Sequence, residues 1–107
     1  MKIIDFRFRP NTPEIINGIK NSSMFKATCE AIGFDKRVPQ SLPEIVADLD
    51  RRGVELCVVS GRDCETTYGF PANNNSILEF CRAYPNKFLG FWGIDPHKGM
   101  DAVREVE

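Results

Sequence analysis

Histidine is almost missing from this chain: His97 is the only one among 107 residues, and a single histidine makes no metal site. The four cysteines, Cys29, Cys57, Cys64 and Cys81, form no C-x-x-C pair and have no histidine beside them, so spacing argues against zinc. Cys57 lies inside the apolar run VELCVV and Cys81 on the apolar side of an expected helix. Both read as buried, reduced thiols. An excess of one charge is lacking too. Fourteen basic against fifteen acidic residues leave a net charge of -1, which gives no footprint for nucleic acid. No stretch approaches the ~18 consecutive apolar residues of a membrane span. Asp5, Arg7 and Arg9 interrupt the first ten residues, which excludes a signal-peptide apolar region. The expectation is a cytoplasmic protein with neither a membrane nor a nucleic-acid partner.

What is present begins with IIDFRFRP, residues 3–10. Strand alternation places Asp5, Arg7 and Arg9 on one face and Ile4, Phe6 and Phe8 on the other. Residues 10–40 follow as a long connection. TPEIINGIKN reads as a short helix with Thr12 as N-cap and Pro13 at its first position. SSMFKATCEAIG reads as another, ended by Gly33. From Ser41 the signals sharpen. Ser41 and Glu44 stand at capping-box spacing, and Leu42, Ile45, Val46 and Leu49 form a stripe that Gly53 can close. VELCVVSG is a buried strand. Residues 74–84 read as a helix entered through asparagines and stopped by Pro85, KFLGFWGI as a third strand, and DPHKGMDAVREVE as a last helix. This βαβαβα order predicts parallel strands with right-handed crossovers.

A first strand IIDFRFRP, a helix ending DRRG before VELCVVSG, and NNNSILEFCRAYPNKFLGFWGIDP together resemble the amidohydrolase-related family 2, which includes decarboxylases and hydrolases. AYPNKFLGFWGIDP carries most of the likeness. The resemblance implies a distorted (β/α)8 TIM barrel of ~250 residues. On that basis residues 1–107 are expected to be its first three βα units, an N-terminal part cut short, inactive by itself. It also implies a first strand ending Asp-x-His-x-His, with both histidines on a divalent metal such as zinc. Here Asp5 keeps its place, and Arg7 and Arg9 stand where the histidines would be. Guanidinium has five donors and no lone pair for a metal, so neither arginine is a ligand.

Three readings stay open for this strand. Arg7 and Arg9, roughly 6.5–7 Å apart along an ideal strand, can clamp the carboxylate of a small anionic substrate, with Asp5 orienting Arg7. Alternatively a metal is held by residues of later strands, or Asp5 and neighbouring glutamates neutralise the arginines in an ion-pair network. Arg62 and Asp63, in the loop after the second strand, are a further candidate substrate contact, or a surface Asp–Arg pair. His97 and Cys64 are weak candidates. Asn73 and Asn74 read as helix caps, and Phe91 and Trp92 as core. The implied function is a hydrolase or decarboxylase acting on a small carboxylated substrate. The alternative is a non-catalytic α/β module or remnant that binds a partner, or a second copy of itself, through open sheet edges.

Overall fold

The computed structural model describes residues 2–107. Its elements run β1 (Ile3–Phe8), α1 (Pro13–Lys20), α2 (Lys26–Ala31), α3 (Leu42–Arg51), β2 (Val54–Ser60), α4 (Glu65–Tyr68), α5 (Asn74–Ala83), β3 (Phe88–Phe91) and α6 (Met100–Val106). Short 3-10 turns lie at Phe34–Lys36 and Pro96–Lys98. The strands form one sheet in the order β1-β2-β3, and both pairs are parallel. The chain is therefore mixed α/β with a three-stranded parallel sheet, as its element order requires.

Local chemistry explains most boundaries. At the start of α3 the Ser41 backbone N–H donates to Glu44 Oε2 at 2.7 Å and the Glu44 N–H to Ser41 Oγ at 3.4 Å. This reciprocal box satisfies two donors that the first turn would otherwise leave bare. Hydrogen bonds to Glu44 Oε2 from the Ser41 N–H, then from the Ser41 hydroxyl at 2.8 Å, hold the Glu44 carboxyl below its ordinary range. After α3, Gly53 takes φ +73°, a left-handed conformation that costs glycine nothing and lets the chain turn straight into β2. Helix α1 starts at Pro13 as its sequence predicts, with Thr12 as the N-cap residue but without a side-chain cap bond.

The core lies on one side of the sheet. Ile45 and Leu49 of α3 and Ile77 and Phe80 of α5 close over Cys57, Val59 and Phe88. Burial, helped by the nearby charge of Asp5, pushes the Cys57 thiol up to about 11, so it is an inert packing group. The shortest extent of the molecule is 20 Å, which fits one sheet and one layer of helices ~10–12 Å in diameter. On the opposite face Ile4, Phe6, Leu89 and Phe91 are exposed, and among the described residues the helices that build the core, α3 and α5, lie on the other side.

Strand β1 departs from simple alternation. Asp5 pairs with Cys57 and Phe8 with Val59, three steps on β1 against two on β2, so Phe6 and Arg7 together stand opposite Val58. This is a β-bulge, and it resets the faces. Asp5 and Phe8 share the side of Cys57 and Val59, under the helices. Phe8 packs against the core and stacks on Phe88 with ring centroids 6.2 Å apart. Phe6, expected to lie with Phe8, is 76% exposed. Asp5 and Arg7 accordingly do not share a face. Strand β3 is also shorter than its apolar run, because its ladder ends where Phe91 pairs with Ser60. Phe91 and Trp92 are exposed rather than core, at 54% and 39%.

Candidate functional site at the carboxyl ends of the strands

The three strands end in loops that meet one another. The excursion between β1 and α3 is tied at its stem, where the Gln40 N–H donates to the Asn11 carbonyl at 2.9 Å and Arg37 to Asn11 Oδ1 at 3.3 Å. Its body reaches the loop after β2: Phe25 stacks on Phe70, centroids 5.0 Å apart, and meets Tyr68 edge-on at 5.9 Å. The helix α4 in that loop has too few residues to show a period, and its sequence gave no warning of it.

Polar groups join the loops after β2 and β3. Asn74, buried in the first turn of α5, donates through Nδ2 to the Gly93 carbonyl at 2.8 Å and accepts the Gly93 N–H on Oδ1 at 2.8 Å. Asn73 Oδ1 accepts the Arg62 N–H, while the Asn73 N–H donates back to the Arg62 carbonyl. The two asparagines were expected to cap α5. Asn73 does stand at the N-cap position, but without a side-chain cap bond, and both side chains bind backbone groups 11 and 19 residues away, stapling the loops. Asp63, expected at the surface beside Arg62, has a wholly buried side chain and takes Lys98 Nζ at 2.6 Å, with Glu65 at 3.3 Å from the same ammonium. The hydrogen bond to Asp63 raises Lys98 above the ordinary lysine range, so it stays charged.

Asp95, also buried, accepts the Thr66 N–H and the His97 N–H, each at 3.0 Å. Hydrogen bonds from Thr66, then His97, lower its pKa. A carboxyl lowered on folding adds stability above its unfolded value, ~3.9, and loses it as pH falls through the folded one. Asp95→Asn is therefore expected to be less stable than the parent near pH 7. The gap should close below about pH 4, which chemical denaturation at several pH values checks. His97 itself contributes a backbone N–H and an exposed ring.

The sequence-predicted residues fall as follows. Asp5 is half-buried and lines a groove of about 500 Å³ between β1 and α3, with Phe8, Asp48 and Arg52. Its Oδ1 accepts the backbone N–H of Arg7 at 3.0 Å, not the guanidinium. Arg7 lies in the bulge and Arg9 just past the end of β1, both exposed. Arg62 follows β2 and is half-buried, its guanidinium carbon 4.7 Å from the centroid of the Phe70 ring. Arg9 and Arg62 thus leave neighbouring strands at the same end. Among the described residues no acid stands within 4.0 Å of the guanidinium of Arg7, Arg9 or Arg62. Among the described residues two buried side-chain polar atoms lack a partner, Thr12 Oγ1 and Arg62 Nε, and both belong to segments leaving this end of the sheet.

A divalent metal does not fit these residues. No three His, Cys, Asp or Glu side chains converge among the described residues, and the arginines carry no lone pair. No helix of the described residues is long and apolar enough to cross a membrane. What the arrangement can do is receive negative charge: three unneutralised guanidiniums, one with a buried donor, beside a self-neutralised Asp63–Lys98 pair. Sequence reasoning missed Asn74, Asp95 and Lys98 as organisers of this end. Only Asp95, opening a turn before proline, carried a local signal. Comparison with family models, curated proteins and solved structures finds no match to this chain.

Proposed function

We propose that this chain supplies the anion-receiving strand ends of an amidohydrolase-like hydrolase or decarboxylase, built on the opening βα units of a TIM barrel and acting on a small carboxylated substrate. The observation that carries the reading is the set of unpaired guanidiniums at the carboxyl ends of β1 and β2, with Arg62 Nε–H buried and without an acceptor. Barrel enzymes place their chemistry at this end of the strands. Guanidinium binds carboxylate through paired, charge-assisted hydrogen bonds. Phe70 fixes the plane of Arg62, and the Arg62 Nε–H gains an acceptor when an anion arrives. The arginines bind and orient. Guanidinium offers donors and no acceptor, so their part is binding rather than proton transfer.

The test is a titration of the 107-residue protein with benzoate, followed by amide chemical shifts. A dissociation constant around 1 mM is expected, about -4 kcal/mol. Arg7→Ala/Arg9→Ala should weaken it about tenfold or more, since a hydrogen bond to a charged group contributes ~1.5–3 kcal/mol. Both side chains are exposed, so the fold should survive. Unchanged affinity in the double variant refutes the reading. A second reading, a partner-binding module, is favoured by the uncovered sheet face.

A further inference from the structure

The Arg62 Nε–H is shut away from solvent and yet has no acceptor. An unpaired buried donor on a charged group costs more than an ordinary lost hydrogen bond. The side-on pair of donors that a guanidinium offers a carboxylate includes Nε, so at Arg62 that pairing forms only when the surroundings of Nε shift. A stack of three layers holds the guanidinium as it is. Its central carbon lies over the Phe70 ring at 4.7 Å, and the Phe25 ring stacks on Phe70 at 5.0 Å with the planes inclined by 21°. One ring face cannot serve both, so Phe70, 5% exposed, is the middle layer. Tyr68 closes the side of the stack, edge-on to Phe25 at 5.9 Å.

Phe25 comes from a segment with a fixed stem and a thin body. The stem is the tie between Asn11 and Gln40, at 2.9 Å. Of residues 21–40 only Cys29 is buried, and Met24, Ile32 and Val38 are 58%, 68% and 78% exposed. Segments with few buried apolar contacts open at low cost. We infer that this excursion is the cover of the anion site: Phe25 clasps Phe70, keeps the Nε–H of Arg62 shut in, and lets go when an anion takes that donor. The cover rests on the reading of Arg62 as an anion receiver and adds its regulation. A ligand opens a closed state only by binding the open one better, and the acceptor gained by Nε supplies that difference. Phe25 acts through Phe70 and touches no ligand, so it is a positioning residue. Affinity is reduced by the fraction of molecules held closed. Loss of the clasp therefore tightens anion binding, whereas loss of a mere support would weaken it.

The test follows the Arg62 Nε–H resonance and the benzoate affinity of the 107-residue protein in two variants, one from each side of the clasp. Phe25→Ala should quicken exchange of that N–H with water severalfold and tighten benzoate binding about two- to tenfold, the equilibrium shift that one aromatic stack supplies. Tyr68→Ala, at a side chain 45% exposed, should move both readings the same way, so a folding defect in one variant leaves the other decisive. In an Arg62→Ala background the gain from Phe25→Ala should vanish, because the two residues act on one donor. Suppose that benzoate binds the parent and Arg7→Ala/Arg9→Ala weakens it, while both ring variants leave the exchange unchanged or bind benzoate more weakly. The cover is then overturned and the anion reading stands. A gain that persists without Arg62 overturns the cover as well. A parent that does not bind benzoate overturns the anion reading, and the cover with it.

Discussion

Gly93→Ala is expected to destabilise the protein by about 3 kcal/mol or more, the sum of overpacking and broken buried hydrogen bonds. A Cβ built on Gly93 would stand 2.6 Å from the carbonyl carbon and oxygen of Gly61 and 2.7 Å from the Arg62 nitrogen. All three are backbone atoms, which cannot swing aside as a side-chain tip would. Relief requires the ends of β2 and β3 to separate. That separation pulls Gly93 from the Asn74 amide, which holds it through two hydrogen bonds of 2.8 Å. The damage should be local to the carboxyl end. Hydrogen exchange of the Gly61 N–H, which donates to the Phe91 carbonyl at 2.7 Å, should quicken before that of the core strands. Urea denaturation gives the magnitude. A loss under 1 kcal/mol would mean that the two loops are not in this contact.

Phe88→Ala carries the other large effect, about 3–5 kcal/mol. Phe88 is 2% exposed and sits at the centre of an aromatic group, its ring centroid 6.2 Å from Phe8, 6.1 Å from Phe80 and 6.3 Å from Tyr84. It thereby joins β1, α5 and the end of α5 through one side chain. Domains of this size hold only about 5–15 kcal/mol in total. The substitution should therefore lower Tm by roughly 15 °C or more. Phe6→Ala, by contrast with Phe88→Ala, removes a side chain that is 76% exposed. Thermal melts of Phe88→Ala resolve the difference, and a shift of only a few degrees would contradict the packing described.

The features legible in the sequence are those whose causes lie within four residues. The Ser41–Glu44 box, Pro13 at the first position of α1, and Gly53 after α3 each involve near neighbours, and each stands where it was expected. The parallel order followed from alternating elements. What escaped was set by distance or by register. The bulge at Phe6 and Arg7 exists because β1 must fit the spacing of β2, which β1 alone does not encode. It removes Asp5 from the arginines' face and with it the expected orienting of Arg7. Asn74 holds Gly93 across 19 residues and Lys98 holds Asp63 across 35, and no local pattern marks either pair. Arg7, Arg9 and Arg62 were legible as candidates because guanidinium chemistry needs no fold to be recognised. Their lack of acid partners, and the buried Nε of Arg62, needed the packed loops.

The central claim is that strand-end arginines receive a carboxylate. The most direct measurement is the set of arginine Nε–Hε resonances in the 107-residue protein, assigned by single substitution and followed as benzoate, and separately benzyl alcohol, is added. The account predicts that Arg7, Arg9 and Arg62 move with benzoate along one common binding curve, that Arg51 and Arg104, already paired with Asp48 and Asp101, stay still, and that the neutral alcohol moves none. Equal movement of all arginines, or an unmoved Arg62, would contradict it.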